Sequence, residues 1–352
     1  MKNLLLTSIL IISTMICGNA TPREAAPSKK ETITGAGATF PLPFYNLAFK
    51  TYQEKNGTTI TYGGIGSGGG IRSLKDKIVD FGGTDAFLSE KELKEMPYET
   101  IHIPTCMGAV VMAYNLPEVK NLKLTGEIIA DIYLGKIKKW NDSRIQAVNP
   151  GVSLPDKELN PVYRSDGSGT TFVFSDYLTK ISNDWKEQVG TGKSLKWPAG
   201  IAAKGNPGVA GVISQTAGSI GYVGSEYAFS LKIPMAQLQN KAGNFVSPTT
   251  ESISAAASGD IPADTRTMIT NSPAADAYPI SCFTWIILYK EQAYNDRKIE
   301  QAQATIDLLS WMLSDEAQAL TTKVHYSPLP ASAVKNAQNL LKSVTFKGKT
   351  IK

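Results

Sequence analysis

The chain has 352 residues, enough for two domains and a substantial core, and its 42% hydrophobic and 19% charged residues are an ordinary balance for a soluble globular protein. The net charge is only +5 and no Lys/Arg block stands out, which argues against nucleic acid as a partner, although the mild positive balance favours approach of an anion.

Met1-Lys2 is followed by an apolar run through Ile16 and then Cys17-Gly18-Asn19-Ala20. A basic start, an apolar stretch and small residues near a cleavage point describe an export signal over residues 1–20, with a Lys/Pro/Ala-rich linker over 21–30. The run is too short for a membrane-spanning helix. Lipid attachment at Cys17 would call for a small residue before it, and Ile16 is bulky, so soluble export is the expectation. Cys106 and Cys282 then reside in an oxidising compartment, either as two buried thiols or as a pair.

Past the linker, strands and helices alternate. Glu31–Ile33 reads as a short strand entering Thr34-Gly-Ala-Gly-Ala-Thr39-Phe40, and Phe44–Lys55 as an amphipathic helix closed by Asn56-Gly57. Thr58–Tyr62 has the β-branched alternation of a strand, followed by Gly63-Gly-Ile-Gly-Ser67-Gly-Gly-Gly70 and a helix to about Lys77. A strand is predicted over Ile78–Phe81, ending in Gly82-Gly83-Thr84-Asp85. Within Ile101–Asn115, the apolar run Met107–Tyr114 reads as a buried strand, and a helix follows over Thr125–Leu134. Pro161–Arg164 is a strand into the turn Arg164-Ser-Asp-Gly-Ser168-Gly169-Thr170, and Thr171–Lys180 is its helix. Ile220–Val223 and Phe283–Tyr289 are further buried strands, Glu300–Lys323 one long helix and Ala331–Lys342 another. Such alternation implies an α/β fold with parallel-rich sheets, helices on both faces and ligands at the C-terminal strand ends.

Those strand ends carry the three Gly/Ser/Thr-rich turns. A helix N-terminus leaves backbone N–H groups unpaired, glycine allows close approach, and Ser or Thr adds a hydroxyl donor. One such turn is commonly a capped loop. Three in one chain, the third with the guanidinium fork of Arg164, point to a single oxyanion held from several sides. Gly64, Gly66 and Gly69 also match GxGxxG, with Asp80 or Asp85 near the acidic position of a dinucleotide site, but that scheme leaves the other two turns without a role. Neither Ser67 nor Ser168 sits in a GxSxG elbow, and His102 and His325 read as structural. No residues stand at metal-ligand spacing and no Gly-Lys-Ser/Thr follows a glycine run, so neither catalysis nor a cofactor or metal is expected. Asp85 is the odd member, because a carboxylate should repel an anion.

The strings Thr34–Phe40 (TGAGATF), Asp80–Asp85 (DFGGTD), Asp131–Trp140 (DIYLGKIKKW), Asp166–Thr170 (DGSGT), Val189–Lys193 (VGTGK) and Gly218–Val223 (GSIGYV) together resemble the periplasmic phosphate-binding proteins of phosphate-specific ABC transporters. The likeness runs from about Glu31 to Leu329-Pro330. It implies a two-lobed periplasmic-binding-protein-like fold of type II, with the second lobe inserted into the first and two hinge crossings between them. Lobe one would be residues 31–105 and 282–352, lobe two residues 106–281. The resemblance further implies that Thr39, Phe40, Ser67 and Asp85 from lobe one, and Arg164, Ser168, Gly169 and Thr170 from lobe two, bind inorganic phosphate. It implies delivery of that phosphate, by a monomeric receptor, to membrane permease subunits served by a cytoplasmic ATPase.

This resemblance gives Asp85 a purpose. Phosphate near neutral pH keeps a proton and sulfate does not, so a carboxylate acceptor bonds the first and meets only lone pairs of the second. Another oxyanion, or a phosphatase acting in the same cleft, are the competing readings. Two positions depart from the family pattern: Gly68 follows Ser67 where a second Ser is common, and Thr84 stands where Ser is frequent. The implied hinge topology also runs the two crossing segments side by side, which raises the expectation of a Cys106–Cys282 disulfide.

Overall fold

The computed structural model describes residues 32–351. The export signal expected over residues 1–20, the linker over 21–30 and Cys17 lie outside the described residues. No described helix is long and apolar enough to cross a membrane.

Eight strands form one continuous twisted layer in the order β2-β1-β3-β11-β4-β8-β6-β7. They are β1 (Thr32–Gly37), β2 (Thr59–Gly64), β3 (Phe81–Thr84), β4 (Thr100–Tyr114), β6 (Asn160–Arg164), β7 (Ile201–Ala203), β8 (Ser219–Gly224) and β11 (Ser281–Tyr289). A small second sheet joins β5 (Lys123–Leu124), β9 (Gln237–Gln239) and β10 (Phe245–Val246), and a C-terminal hairpin pairs β12 (Thr345–Phe346) with β13 (Lys349–Thr350). The bilobed α/β form follows from β4. Its first part, Thr100–Ala109, pairs antiparallel with β11, and its last part, Val110–Tyr114, pairs antiparallel with β8. One strand thus belongs to both halves of the layer.

The expectation of parallel-rich sheets holds at the flanks. β1 pairs in parallel with β2 and β3, and β6 with β7 and β8. The centre differs: β3, β11, β4 and β8 run antiparallel in succession. Strand direction at that seam is set by where the long excursion between β4 and β11 returns, which local periodicity does not encode.

Each half has its own aromatic core. In the first, Tyr45, Phe49, Tyr62 and Phe81 interlock, with Tyr45 stacked on Phe49 at 5.2 Å and Tyr62 on Phe81 at 6.1 Å. In the second, Tyr222 stacks on Phe174 at 4.3 Å and on Trp197 at 5.6 Å, with Tyr133 and Trp185 against the same group. Such rings bury large apolar areas in fixed geometry, so they make stiff platforms for the loops above them.

Three element boundaries are corrected. The first strand extends through Thr34-Gly-Ala-Gly37, so this glycine segment is itself sheet. The strand expected over Ile78–Phe81 instead occupies Phe81–Thr84, and Ile78 is 70% exposed. The single helix expected over Glu300–Lys323 is broken into Ile299–Met312, Asp315–Gln318 and the 3-10 turn Thr322–Val324. Ser314 causes the first break: its Oγ accepts the Ala317 N–H at 3.3 Å and donates to the Trp311 carbonyl at 2.6 Å, capping a new helix while ending the old one.

The disulfide expectation is also corrected, because Cys106 and Cys282 are both free and buried. They do lie on adjacent antiparallel strands, but Cys106 stands opposite Thr284 and Cys282 opposite Gly108, so the two thiols are out of register. Burial pushes both thiols well above their ordinary pKa, which makes them unreactive.

Candidate functional site

All of the predicted site residues gather where the two halves of the layer meet, past the C-terminal ends of β1, β2, β3 and β6. Thr39, Ser67, Asp85, Arg164, Ser168 and Thr170 are each no more than 4% exposed.

The first turn is held by close backbone approach. Gly37 has φ +149, and a side chain there would begin 2.1 Å from the Gly83 carbonyl oxygen, so only glycine lets β1 and β3 converge beneath the site. Thr39 and Phe40 follow directly. The Phe40 ring is fully buried and meets Tyr326 edge-on at 5.9 Å, while the Tyr326 hydroxyl donates to the Phe40 carbonyl. Tyr227 donates in the same way to the Thr39 carbonyl.

Ser67 opens the helix Ser67–Lys75, and its hydroxyl oxygen accepts two backbone donors, Gly169 N–H at 3.0 Å and Asp85 N–H at 3.3 Å. A side chain at Gly169 would begin 2.5 Å from that oxygen, which explains why the third turn needs glycine there. Gly68 has a similar part. Its N–H donates to the Gly167 carbonyl at 2.9 Å, and a side chain at 68 would begin 3.2 Å from the Gly167 Cα. The hydroxyl lost by the departure to Gly68 is therefore matched by a tight backbone contact between the second and third turns.

Asp85 follows β3. Thr84, the other departure, uses its hydroxyl to donate to the Ala86 carbonyl at 2.6 Å and to accept the Ala86 N–H at 3.2 Å, fixing the turn that carries Asp85. The Asp85 carboxylate accepts the Thr284 hydroxyl at 2.9 Å on Oδ1 and the Thr170 hydroxyl at 3.3 Å on Oδ2. Burial raises its pKa to about 7, against the opposing pull of those hydroxyls and of Arg164.

Arg164 ends β6. Its backbone N–H donates to the Tyr222 hydroxyl at 2.9 Å, so the aromatic platform sets its position. Its guanidinium makes a fork to Asp166, Nε to Oδ1 at 2.8 Å and Nη2 to Oδ2 at 2.6 Å, and Nη1 reaches Thr170 Oγ1 at 3.4 Å. The fork leaves the Nη1 side turned to the cleft. Ser168 caps the helix Gly169–Ile181, accepting the Thr171 N–H at 3.0 Å, so the N-terminus of that helix, whose Gly169 N–H serves Ser67, points at the same place. The arrangement is a ring of donors around one carboxylate acceptor, suited to a small oxyanion that carries a proton.

Several contributors were missed in the sequence. Asn206 is fully buried between Thr39 and Thr170, in a stretch (Lys204-Gly-Asn-Pro-Gly208) whose Gly and Pro content hid the helix Gly205–Gln215. Asp166 lies within a recognised string but its fork to Arg164 does not show in spacing. Thr284 on β11 and Tyr222 on β8 reach the site only through folding. Glu226 is 1% exposed with neither carboxylate oxygen hydrogen-bonded, and burial pushes its pKa up to about 8.

The residues of the competing readings are otherwise engaged. Asp80 accepts the Thr34 N–H at 2.7 Å and pairs with Arg297 at 2.6 Å, leaving no free carboxylate for a ribose beside Gly64, Gly66 and Gly69. His102 accepts the Leu88 N–H at 3.0 Å and is buried, which lowers its pKa to about 3. His325 stacks on Phe229 at 4.4 Å. Among the described residues no group of three or more His, Cys, Asp or Glu could hold a metal ion.

Residues 22–316 match the PBP superfamily domain. The sequence is 42% identical to the phosphate-binding protein PstS of Xylella fastidiosa (strain 9a5c), covering 91% of this chain and 88% of that protein. This chain belongs to the PstS family. The PstS of Pasteurella multocida (strain Pm70) is 41% identical, covering 89% of this chain and 91% of its own length. A solved structure of a high-affinity periplasmic phosphate-binding protein bound with phosphate superposes with a TM-score of 0.71, covering 88% of this chain and 93% of that one. At 22% identity that likeness concerns the fold, the two-lobed type II form of periplasmic binding proteins. In this PstS-family chain, three of the strings quoted from the sequence, Thr34–Phe40, Asp80–Asp85 and Asp166–Thr170, fall at strand ends around the site.

Proposed function

We propose that this chain is a non-enzymatic receptor that binds inorganic phosphate between its lobes outside the cytoplasm and delivers it to an ABC importer. The observation that carries this reading is the buried Asp85 acceptor encircled by the hydroxyls of Thr39, Ser67, Ser168 and Thr170 and the guanidinium of Arg164, with Gly169, whose N–H donates to Ser67, beside them. Donors hold the anion's bare oxygens, and Asp85 takes its proton. A buried acceptor left facing lone pairs rejects a fully deprotonated oxyanion by orders of magnitude. Phe40 adds its backbone amide, and its buried ring fixes the amide's place.

The lobe partition of residues 31–105 with 282–352, against 106–281, fits a hinge at β4 and at the segment entering β11. Contacts across the cleft describe the closed state: Gly68 to Gly167, Gly169 to Ser67, Asn206 to Thr39, and Lys193 Nζ to the Glu92 carboxylate at 2.8 Å. Closure would present both lobe rims together to permease subunits that share a cytoplasmic ATPase. Membership of the family implies export, for which the apolar leader at residues 1–20 is the route, as a soluble monomer rather than one anchored through Cys17.

Calorimetric titration of the mature chain, stripped of ligand by unfolding and refolding, tests the reading. One-to-one binding of phosphate without a sulfate signal is expected. Comparable binding of both would make it a general oxyanion receptor, and release of phosphate from an ester would make it an enzyme.

A further inference from the structure

Asn206 is the second residue of the helix Gly205–Gln215, just past β7, and contacts both sides of the cleft. Its Oδ1 accepts the Gly224 N–H at 2.9 Å. A backbone N–H can only donate, so this bond fixes which way the amide faces. Nδ2 then points to two hydroxyls, donating to Thr39 Oγ1 at 3.0 Å and Thr170 Oγ1 at 3.1 Å. The Asn206 backbone N–H donates to the same Thr39 oxygen at 3.0 Å.

The count of lone pairs gives these bonds their meaning. A hydroxyl has two acceptor sites and one proton. Both acceptor sites of Thr39 are filled by Asn206, so its proton has to be donated elsewhere. Thr170 Oγ1 receives Asn206 Nδ2–H and Arg164 Nη1–H, and its proton goes to Asp85. Ser67 reaches the same condition through two backbone N–H groups. A hydroxyl left free to rotate could turn a lone pair toward an anion; these cannot.

We propose that Asn206 is a positioning residue of the phosphate site, filling both acceptor sites of Thr39 and, together with Arg164, those of Thr170, so that both hydroxyls act only as donors in the closed cleft. This rests on the phosphate reading above. Donors oriented in advance spare the complex the cost of ordering them on binding.

The test is a calorimetric cycle with inorganic phosphate on the full mature chain: wild type, Asn206→Ala, Thr39→Val and the double variant, with Asn206→Asp alongside. Asn206→Ala is expected to weaken binding about tenfold, and in the Thr39→Val background the same step shrinks to about threefold, because only the Thr170 part remains. Asn206→Asp keeps the shape and should fold where Asn206→Ala does not. Its carboxylate draws the hydroxyl protons of Thr39 and Thr170 toward itself, so it weakens binding more than the alanine. A merely structural Asn206 would lower the melting temperature and give the same step in both backgrounds. Equal steps, or wild-type affinity in Asn206→Asp, would overturn the inference while leaving the receptor reading intact. Absence of phosphate binding by the wild type would overturn both.

Discussion

Replacing Asp85 by Asn separates the proton-acceptor role from simple donor counting. Asp85 is 1% exposed and holds the hydroxyls of Thr284 and Thr170. Asn keeps one acceptor oxygen and turns the other into a donor. For phosphate, a charge-assisted bond gives way to a neutral or mispaired one, a loss of roughly 1.5 kcal/mol. For sulfate, a repelling lone pair is replaced by an amide donor, a gain of about the same size. The phosphate-to-sulfate ratio should therefore fall by about 3 kcal/mol, or ~100-fold. The wild type makes the same point through pH. Because burial lifts the Asp85 pKa to about 7, the carboxyl is ionised above that pH and rejects sulfate. Below it the carboxyl carries its own proton and can donate, so sulfate binding should strengthen as the pH falls through about 7. The Asp85→Asn variant should show no such rise. Calorimetry with both anions at about pH 5 and about pH 8.5 reads both effects on one protein. An unchanged ratio in the variant, together with flat sulfate affinity in the wild type, would refute the acceptor role.

Arg164→Ala should weaken phosphate binding by ~100-fold or more, exceeding any single hydroxyl deletion, because it also strands the carboxylate of Asp166; equal losses for Arg164→Ala and Ser168→Ala in the same titration would mean that backbone donors dominate. Glu92→Gln keeps the reciprocal cap with Ser89 yet removes the ion pair to Lys193 across the cleft. Stopped-flow release of phosphate should quicken by about twofold to fivefold at low salt, with association unchanged; unchanged release would mean that the pair contributes nothing to closure. Glu226→Gln addresses the unpartnered carboxyl. Its folded pKa of about 8 lies above the ordinary carboxyl value of 4.5, so the native state holds a proton that the unfolded chain releases, and stability is lost as the pH rises from about 4.5 through 8. Thermal melts of wild type and variant should coincide near the acid end of that window and diverge at its alkaline end, with the variant more stable; parallel curves would show that Glu226 titrates normally.

What could be read in the sequence were the groups whose chemistry is local. An anion held by backbone amides needs Gly, Ser and Thr at strand ends, and those residues cluster along the chain at Thr34–Phe40, Gly63–Gly70 and Arg164–Thr170. The aromatic and β-branched strands likewise announce themselves over a few residues. The break at Ser314 did not, because Ser is tolerated inside helices and only its bonds to Trp311 and Ala317 show that it caps. The antiparallel seam and the misregistered thiols were hidden for another reason, since both depend on how β4 meets a strand far along the chain.

The same division runs through the site. The residues proposed to face the ligand are short-range patterns, but the groups that aim them are not. Asn206 lies 167 residues from Thr39, Gly169 lies 102 from Ser67, and Lys193 lies 101 from Glu92. Each of these bonds joins residues 31–105 to residues 106–281, so with the hinge proposed above its geometry belongs to the closed form. Anion chemistry is thus written in contiguous turns, whereas the energy of closure is distributed over pairs that the fold alone brings together. A substitution in a turn should therefore act first on which anion is bound, and one at Asn206, Glu92 or Lys193 on how well the closed cleft is held and aimed.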